Sequence, residues 1–301
     1  MNAIVSGPAD QIRDITYRSA DGLLLAAREF VGPPHPAGAV LCLHGLTRNG
    51  RDFDETARRL SAEWRVIAPD QRGRGRSEYD PTPANYNPMT QTADMWTLLD
   101  TLGVDRVVII GTSMGALMGV LMANQNPGRI AGLVLNDAGP EVDPKGLARI
   151  KAYVGNTTTY PDWDTATTAL AGVHGPAYPT YSREDWERLA RATFVPEGEG
   201  LRLDYDPALK AALAAASAPP DMWPLFEPLK SIPTLVLRGQ LSDLLSEATA
   251  DQMVARLGAT LITVPDRGHA PDLSEPSVTP ALDAFLAQPQ LRQRLGDTDK
   301  T

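Results

Sequence analysis

Apolar residues in this chain fall in short unbroken runs separated by stretches of helical spacing. The runs are "AVLCL" (39–43), "RVIAP" (65–69), "RVVII" (106–110), "IAGLVLN" (130–136), "TLVLR" (234–238) and "TLITV" (260–264). Helical spacing falls near 50–62, 90–102, 113–126, 246–256 and 275–288. β-Branched runs without polar alternation are strands buried on both faces. Their alternation with helices predicts an α/β fold, a mostly parallel twisted sheet with helices on both faces. Ahead of them, "ITYRSADGLLLAAREF" reads as a hairpin turning at Asp21-Gly22.

Between residues 140 and 228 the rhythm breaks. No strand-like run is visible there, and the segment holds 11 of the 26 prolines and ten of the 18 aromatic residues. Its clearest helix is "SREDWERLARATF". Ser182 and Asp185 suit a capping box, and Trp186, Leu189, Ala190 and Phe194 share one face. The chain therefore divides into a core of residues 1–139 and 229–290, a mainly helical cap insertion at 140–228, and a polar tail at 291–301 that is expected to fray. Aromatic residues in the insertion serve its own small core first and a pocket second.

Composition narrows the chemistry. At 301 residues the chain can bury a large core, and 43% hydrophobic with 22% charged residues is ordinary for a globular protein. A net charge of −9 argues against nucleic acid and anionic membrane as partners. The single cysteine, Cys42, excludes an internal disulfide and any thiolate metal cage, and no cofactor or metal is expected. The N-terminus has no basic flank followed by an apolar run, and no 18-residue apolar stretch occurs, so the expected location is the cytoplasm. The sequence leaves the oligomeric state open.

One turn stands out. Val107–Ile110 is a buried strand; Gly111 follows at once, and Met114, Leu117, Met118, Leu121 and Met122 then recur on a helical face. Strand passes to helix with no loop, so the residue at the apex is forced toward strained backbone angles. Its neighbours must be small, as Gly111 and Gly115 are. This G-x-S-x-G elbow lifts the Ser113 hydroxyl beside a helix N-terminus, where free N–H groups stabilise developing negative charge. The bland alternative is an incidental serine in a glycine-tolerant turn.

A nucleophilic serine needs a base. Of four histidines, only His44 and His269 follow sheet strands directly, at the edge where open α/β sheets build their sites. His269 sits on a loop long enough to lean over the sheet and is the expected general base. Two carboxylates could orient it. Asp243, a few residues past 234–238, is preferred because its loop lies closer to His269 in the order of elements. Asp137, at the end of 130–136, is the alternative.

Together "LHGLTRN" (43–49), "APDQRGRGRSEYDP" (68–81), "GTSMGA" (111–116), "LRGQLSDLLS" (237–246) and "PDRGHAPDLSEP" (265–276) resemble the α/β-hydrolase superfamily, in its capped serine esterase or lipase-like branch. The resemblance spans about residues 12–288. It implies an oxyanion hole built from the backbone N–H groups of Leu46 and Met114, with His44 and Gly45 in the pocket wall. "RGRGRS" then reads as a structural loop, since no Gly-Lys-Ser/Thr follows to make a phosphate loop.

The implied activity is cleavage of a small, largely apolar carboxylic ester or lactone through an acyl-enzyme. Aspartate-based dehalogenases and epoxide hydrolases are excluded by Ser113. Carbon–carbon hydrolases of ring-cleavage products stand second, because "HGLTRN" departs from their glycine- or proline-rich stretch; perhydrolase-type relatives share "SMG". A slow-turnover ligand receptor on the same fold is the rival from another class.

Overall fold

A hairpin opens the described part of the chain. The computed structural model describes residues 12–215 and 221–296; the N-terminal residues read above for leader features, and 297–301 of the tail, lie outside it. Strand β1 (Ile12–Arg18) pairs antiparallel with β2 (Leu24–Phe30) around Gly22, whose φ of +91° closes the turn. The core then alternates: β3 (Ala39–Leu43), α1 (Asp54–Leu60), β4 (Arg65–Asp70), α2 (Pro88–Thr101), β5 (Val107–Thr112), α3 (Met114–Gln125) and β6 (Ile130–Asn136).

After β6 come α4 (Pro144–Tyr153), α5 (Trp163–His174), α6 (Arg183–Thr193), a hairpin of β7 (Phe194–Glu197) and β8 (Gly200–Leu203), α7 (Leu209–Ala215) and α8 (Trp223–Phe226). The core resumes with β9 (Thr234–Gly239), α9 (Glu247–Leu257), β10 (Thr260–Val264), α10 (Val278–Leu286) and α11 (Pro289–Leu295).

Eight strands form one sheet in the order β1-β2-β4-β3-β5-β6-β9-β10. The pairs of β1 with β2 and β2 with β4 are antiparallel; every later pair is parallel. Strands β3, β5, β6 and β9 are buried along nearly their whole length because helices cover both faces. Two apolar layers result. One packs β-strand residues such as Leu41, Ile109 and Leu133 with Met95, Met118 and Met122, and the other packs Val40, Val108 and Val134 with Phe53, Leu282 and Phe285.

Two expectations need correction. The segment between β6 and β9 contains a two-stranded hairpin, concealed in the sequence because its strands are four residues long and one carries Pro196. The residues from 291 do not fray at once. Leu291 is fully buried against the sheet at Gly132, Arg292 lies over the Trp64 ring at 4.6 Å, and Arg294 donates to the carbonyls of Ile130 and Pro127. The helix at Arg183–Thr193 forms as read, with the Ser182/Asp185 capping box in place. Among the described residues no helix is long and apolar enough to cross a membrane.

Candidate active site

The C-terminal ends of the parallel strands converge on one cavity of about 480 Å³. At the end of β5 the chain reverses at Ser113, with φ +53° and ψ −117°, before α3 begins. Small neighbours make this reversal possible. A Cβ on Gly111 would lie 2.5 Å from the Ala116 nitrogen, and one on Gly115 would lie 2.0 Å from the Leu43 carbonyl oxygen. Any side chain at either position would force strand and helix apart. The Ser113 N–H donates to the Asn136 carbonyl at 2.9 Å, which ties the turn to β6.

His269, on the loop after β10, reaches back over the sheet. Its Nε2 lies 2.9 Å from Ser113 Oγ, and its Nδ1 lies 2.7 Å from Asp137 Oδ2. A carboxylate can only accept, so Nδ1 carries the proton and Nε2 is left to accept from the serine hydroxyl. The aspartate is fully buried and holds φ at +55° as the first residue beyond β6. It also accepts from the Gly239 N–H at 2.9 Å and from Ser242 Oγ at 2.6 Å.

The expectation for Asp243 is therefore overturned. Its carboxylate is turned outward and forked by Arg149 of α4, with Nε and Nη2 at 2.6 and 2.8 Å. That pair holds Asp243 below the usual carboxylate range. Order along the chain misled the choice. Sheet order decides, and β6 lies directly beside β5, the strand that ends at Ser113.

The loop after β3 faces the same point. Neither the Leu46 nor the Met114 backbone N–H donates to another described residue. Met114 is the first residue of α3, where an N–H has no intrahelical acceptor. His44 Nδ1 donates to the Gly45 carbonyl at 2.8 Å, while its Nε2 accepts from the Gln71 N–H at 3.0 Å. A trans peptide carries its C=O and N–H on opposite sides, so fixing the Gly45 oxygen fixes the direction of the Leu46 N–H. His44 is fully buried, and burial, with Arg74 close by, pushes its pKa down to about 3, so the ring is neutral. It is a fixture beneath the loop and does not line the cavity, which corrects its expected place in the pocket wall; Gly45 does line it.

The "RGRGRS" loop turns its first two arginines inward. Arg72 is fully buried and forks Asp94 at 2.8 and 2.7 Å, with Asp21 and Asp80 on its other nitrogen. Arg74, also fully buried, donates to the Leu46 carbonyl at 2.8 Å and to the Arg72 carbonyl at 2.7 Å. Its Nη2 lies 3.9 Å from Met114 Sδ. No carboxylate bridges it among the described residues, and burial lowers its pKa to about 9.

The segment between β6 and β9 supplies the far wall, with Tyr153, Leu170, His174, Tyr178 and Thr193 facing the cavity. Sequence reasoning passed over Arg48, Arg74, Tyr153 and His174. The only local signal for Arg48 was its place in "HGLTRN", just past the strand end.

Comparison with known proteins matches residues 38–276 to the model of the α/β hydrolase fold. The chain belongs to the α/β-hydrolase family. Its curated relatives include the 3-hydroxybutyrate-oligomer hydrolase of Cupriavidus necator, 36% identical over 84% of this chain and 89% of that one. Another is the 2-(acetamidomethylene)succinate hydrolase of Mesorhizobium japonicum, 28% identical over 81% and 88%. Among solved structures, an α/β hydrolase from Novosphingobium aromaticivorans superposes with a TM-score of 0.88 at 44% identity, covering 93% of this chain and 99% of that one. A hydrolase of the α/β family is thus what the fold and its relatives support.

Proposed function

We propose that the protein is a serine-dependent carboxylic ester hydrolase acting on short esters of hydroxy acids through an acyl-enzyme. The observation that carries this reading is the continuous hydrogen-bond line from Ser113 Oγ through His269 to Asp137. His269 Nε2 takes the hydroxyl proton as Ser113 Oγ bonds to the ester carbonyl carbon. Asp137 balances the imidazolium charge and holds the ring's tautomer. The N–H groups of Leu46 and Met114 receive the oxyanion, a contribution of about 3–4 kcal/mol per donor to the transition state.

Collapse of the tetrahedral species expels the alcohol, which takes the proton from His269. Water then attacks the acyl-serine with His269 again as base, and the carboxylic acid leaves. The hydroxy-acid ester is favoured by similarity to the oligomer hydrolase, and a cavity of about 480 Å³ suits a small substrate.

The test is Ser113→Ala. Turnover of p-nitrophenyl butyrate should fall by about 10⁴-fold or more with the circular dichroism spectrum unchanged, and fluorophosphonate labelling should be lost. Retained turnover in the purified variant would remove Ser113 from the reaction.

A further inference from the structure

The cavity contains a cation beside the nucleophile that the reaction above does not use. A methyl group placed on Gly45 would touch Arg48 Cγ at 3.6 Å and Ser113 Cβ at 3.7 Å, so the stem of Arg48 and the carbon bearing the nucleophile flank the same small space. Arg48 and Ser113 both line the cavity. The guanidinium is steadied from one side. Nε donates to Asp52 Oδ2 at 2.8 Å, Nη2 to Asp52 Oδ1 at 2.5 Å, and Nη1 to Thr193 Oγ1 at the end of α6. An arginine offers five N–H donors, and these bonds use three. One N–H on Nη1 and one on Nη2 have no partner among the described residues.

The surroundings favour an incoming anion at this edge. Of the five carboxylates that line the cavity, Asp54 is held by Arg28 and Glu55 has no partner among the described residues; the other three are also engaged. Asp52 is held by Arg48 itself, Asp185 by Ser182 and Arg188, and Asp272 by Tyr181 and Ser274. The other cavity arginines are drawn to other groups, Arg51 to Asp204 and the Ala192 carbonyl, Arg188 to Asp185 and Arg191 to the face of Trp163 at 3.9 Å, whereas the stem of Arg48 shares the space at Gly45 with Ser113. His174, at the end of α5, stands edge-on to Tyr153 with 5.4 Å between ring centroids and makes no hydrogen bond to a described residue. Burial, together with Arg48 and Arg149, lowers its pKa to about 4. At neutral pH it therefore offers a neutral N–H and adds no charge.

We infer that Arg48 is a substrate anchor, and that the preferred substrates are short esters carrying a free carboxylate a few bonds from the scissile carbonyl, which the open edge of its guanidinium receives end-on. This inference rests on the esterase reading and narrows it. The bond cleaved stays the same, and what is added is the charge on the rest of the molecule. In a dimer of 3-hydroxybutyrate the terminal carboxylate belongs to the leaving alcohol, four bonds from the carbonyl under attack, and Arg48 lines the same cavity as the serine. The protein's net charge of −9 repels anions in general, so a fixed cation inside the cavity is what would admit this class.

The experiment compares the 3-hydroxybutyrate dimer as free acid with its methyl ester, following cleavage of the central ester by chromatography, in the wild type and in Arg48→Met. The wild type should favour the free acid by at least about ten-fold in kcat/KM. The variant should lower that ratio by about ten- to a hundred-fold, as loss of a charged hydrogen bond does. A tether that merely joins core to insertion would slow both substrates alike and leave the ratio where it was. An unchanged ratio, or equal turnover of acid and ester by the wild type while Ser113 still reacts with fluorophosphonate, overturns the anchor and leaves the esterase standing. If neither dimer is cleaved and Ser113 does not label, the esterase reading itself falls and the anchor with it. A second measurement needs no variant: 3-hydroxybutyrate should inhibit the wild type competitively, and 3-hydroxybutyramide should not. Equal inhibition by the two would also overturn the anchor.

Discussion

Asp137 Oδ2 meets His269 Nδ1 at 2.7 Å across 132 residues of chain, from a position one residue beyond β6. The same carboxylate receives the Gly239 N–H and the Ser242 hydroxyl, so its orientation is fixed from the β9 side as well. Asp243 lies on that neighbouring loop and has its own partner in Arg149.

The two aspartates separate by substitution. Asp137→Asn should cut ester turnover by roughly 10⁴-fold, because an amide cannot both accept from Nδ1 and balance the imidazolium. Asp243→Asn should stay within a few-fold of wild type and lose about 1 kcal/mol of stability or less, since its ion pair is part-exposed. Steady-state kinetics on both purified variants decides it, and the reverse ranking would return the role to Asp243.

Arg74 grips the carbonyl of Leu46 and touches the sulfur of Met114, the two residues proposed to supply the oxyanion N–H groups. Arg74→Met should lower kcat by about ten- to a hundred-fold with KM little changed, because a donor shifted by a fraction of an ångström weakens the transition state more than the bound substrate. Affinity for a boronic acid should fall in parallel. A folded variant with kcat intact would make the arginine a structural part of the loop and nothing more.

His44 gives a stability signature in acid. Its folded pKa is depressed to about 3 against an ordinary 6.5, so below about pH 6.5 the unfolded chain takes up a proton that the native state refuses. Stability contributed by the neutral ring is present above that pH and is lost as pH falls through the window from 6.5 toward 3, at up to about 1.4 kcal/mol per pH unit. Urea midpoints at pH 7 and pH 5 should therefore differ less in His44→Gln than in the wild type. An identical difference in the two proteins would contradict the buried neutral ring.

The last helix contributes to the core. Leu291→Ala removes a fully buried side chain packed at Gly132 and should cost about 2–5 kcal/mol. A urea midpoint equal to wild type would show that residues beyond 288 are dispensable.

Much of this was legible in the residues. The runs at 39–43 and 130–136 are the strands themselves, because a strand buried on both faces has no choice but unbroken apolar sequence; the run at 260–264 is a strand too, but at the edge of the sheet, where Thr260 and Thr263 are exposed. Ser113 and His269 could be found because a sharp turn and a scarce residue type each leave few candidates. Asp137 could be shortlisted but not chosen. Which strand end faces an imidazole depends on lateral order in the sheet, and that order is fixed by long-range packing. The tail misled for a related reason. Its arginines look solvent-seeking, yet their stems lie on Trp64 and their heads cap strand-end carbonyls, a use of charge that no local pattern announces.

The contact between Gly115 and the Leu43 carbonyl has a further consequence. Leu43 closes β3 three residues before Leu46, and Gly115 directly follows Met114, so main chain pressed on main chain gauges the gap between the two N–H groups. Side chains at 46 and 114 can then be exchanged to suit different guests without resetting that gauge, whereas one added methyl at 115 would spread it.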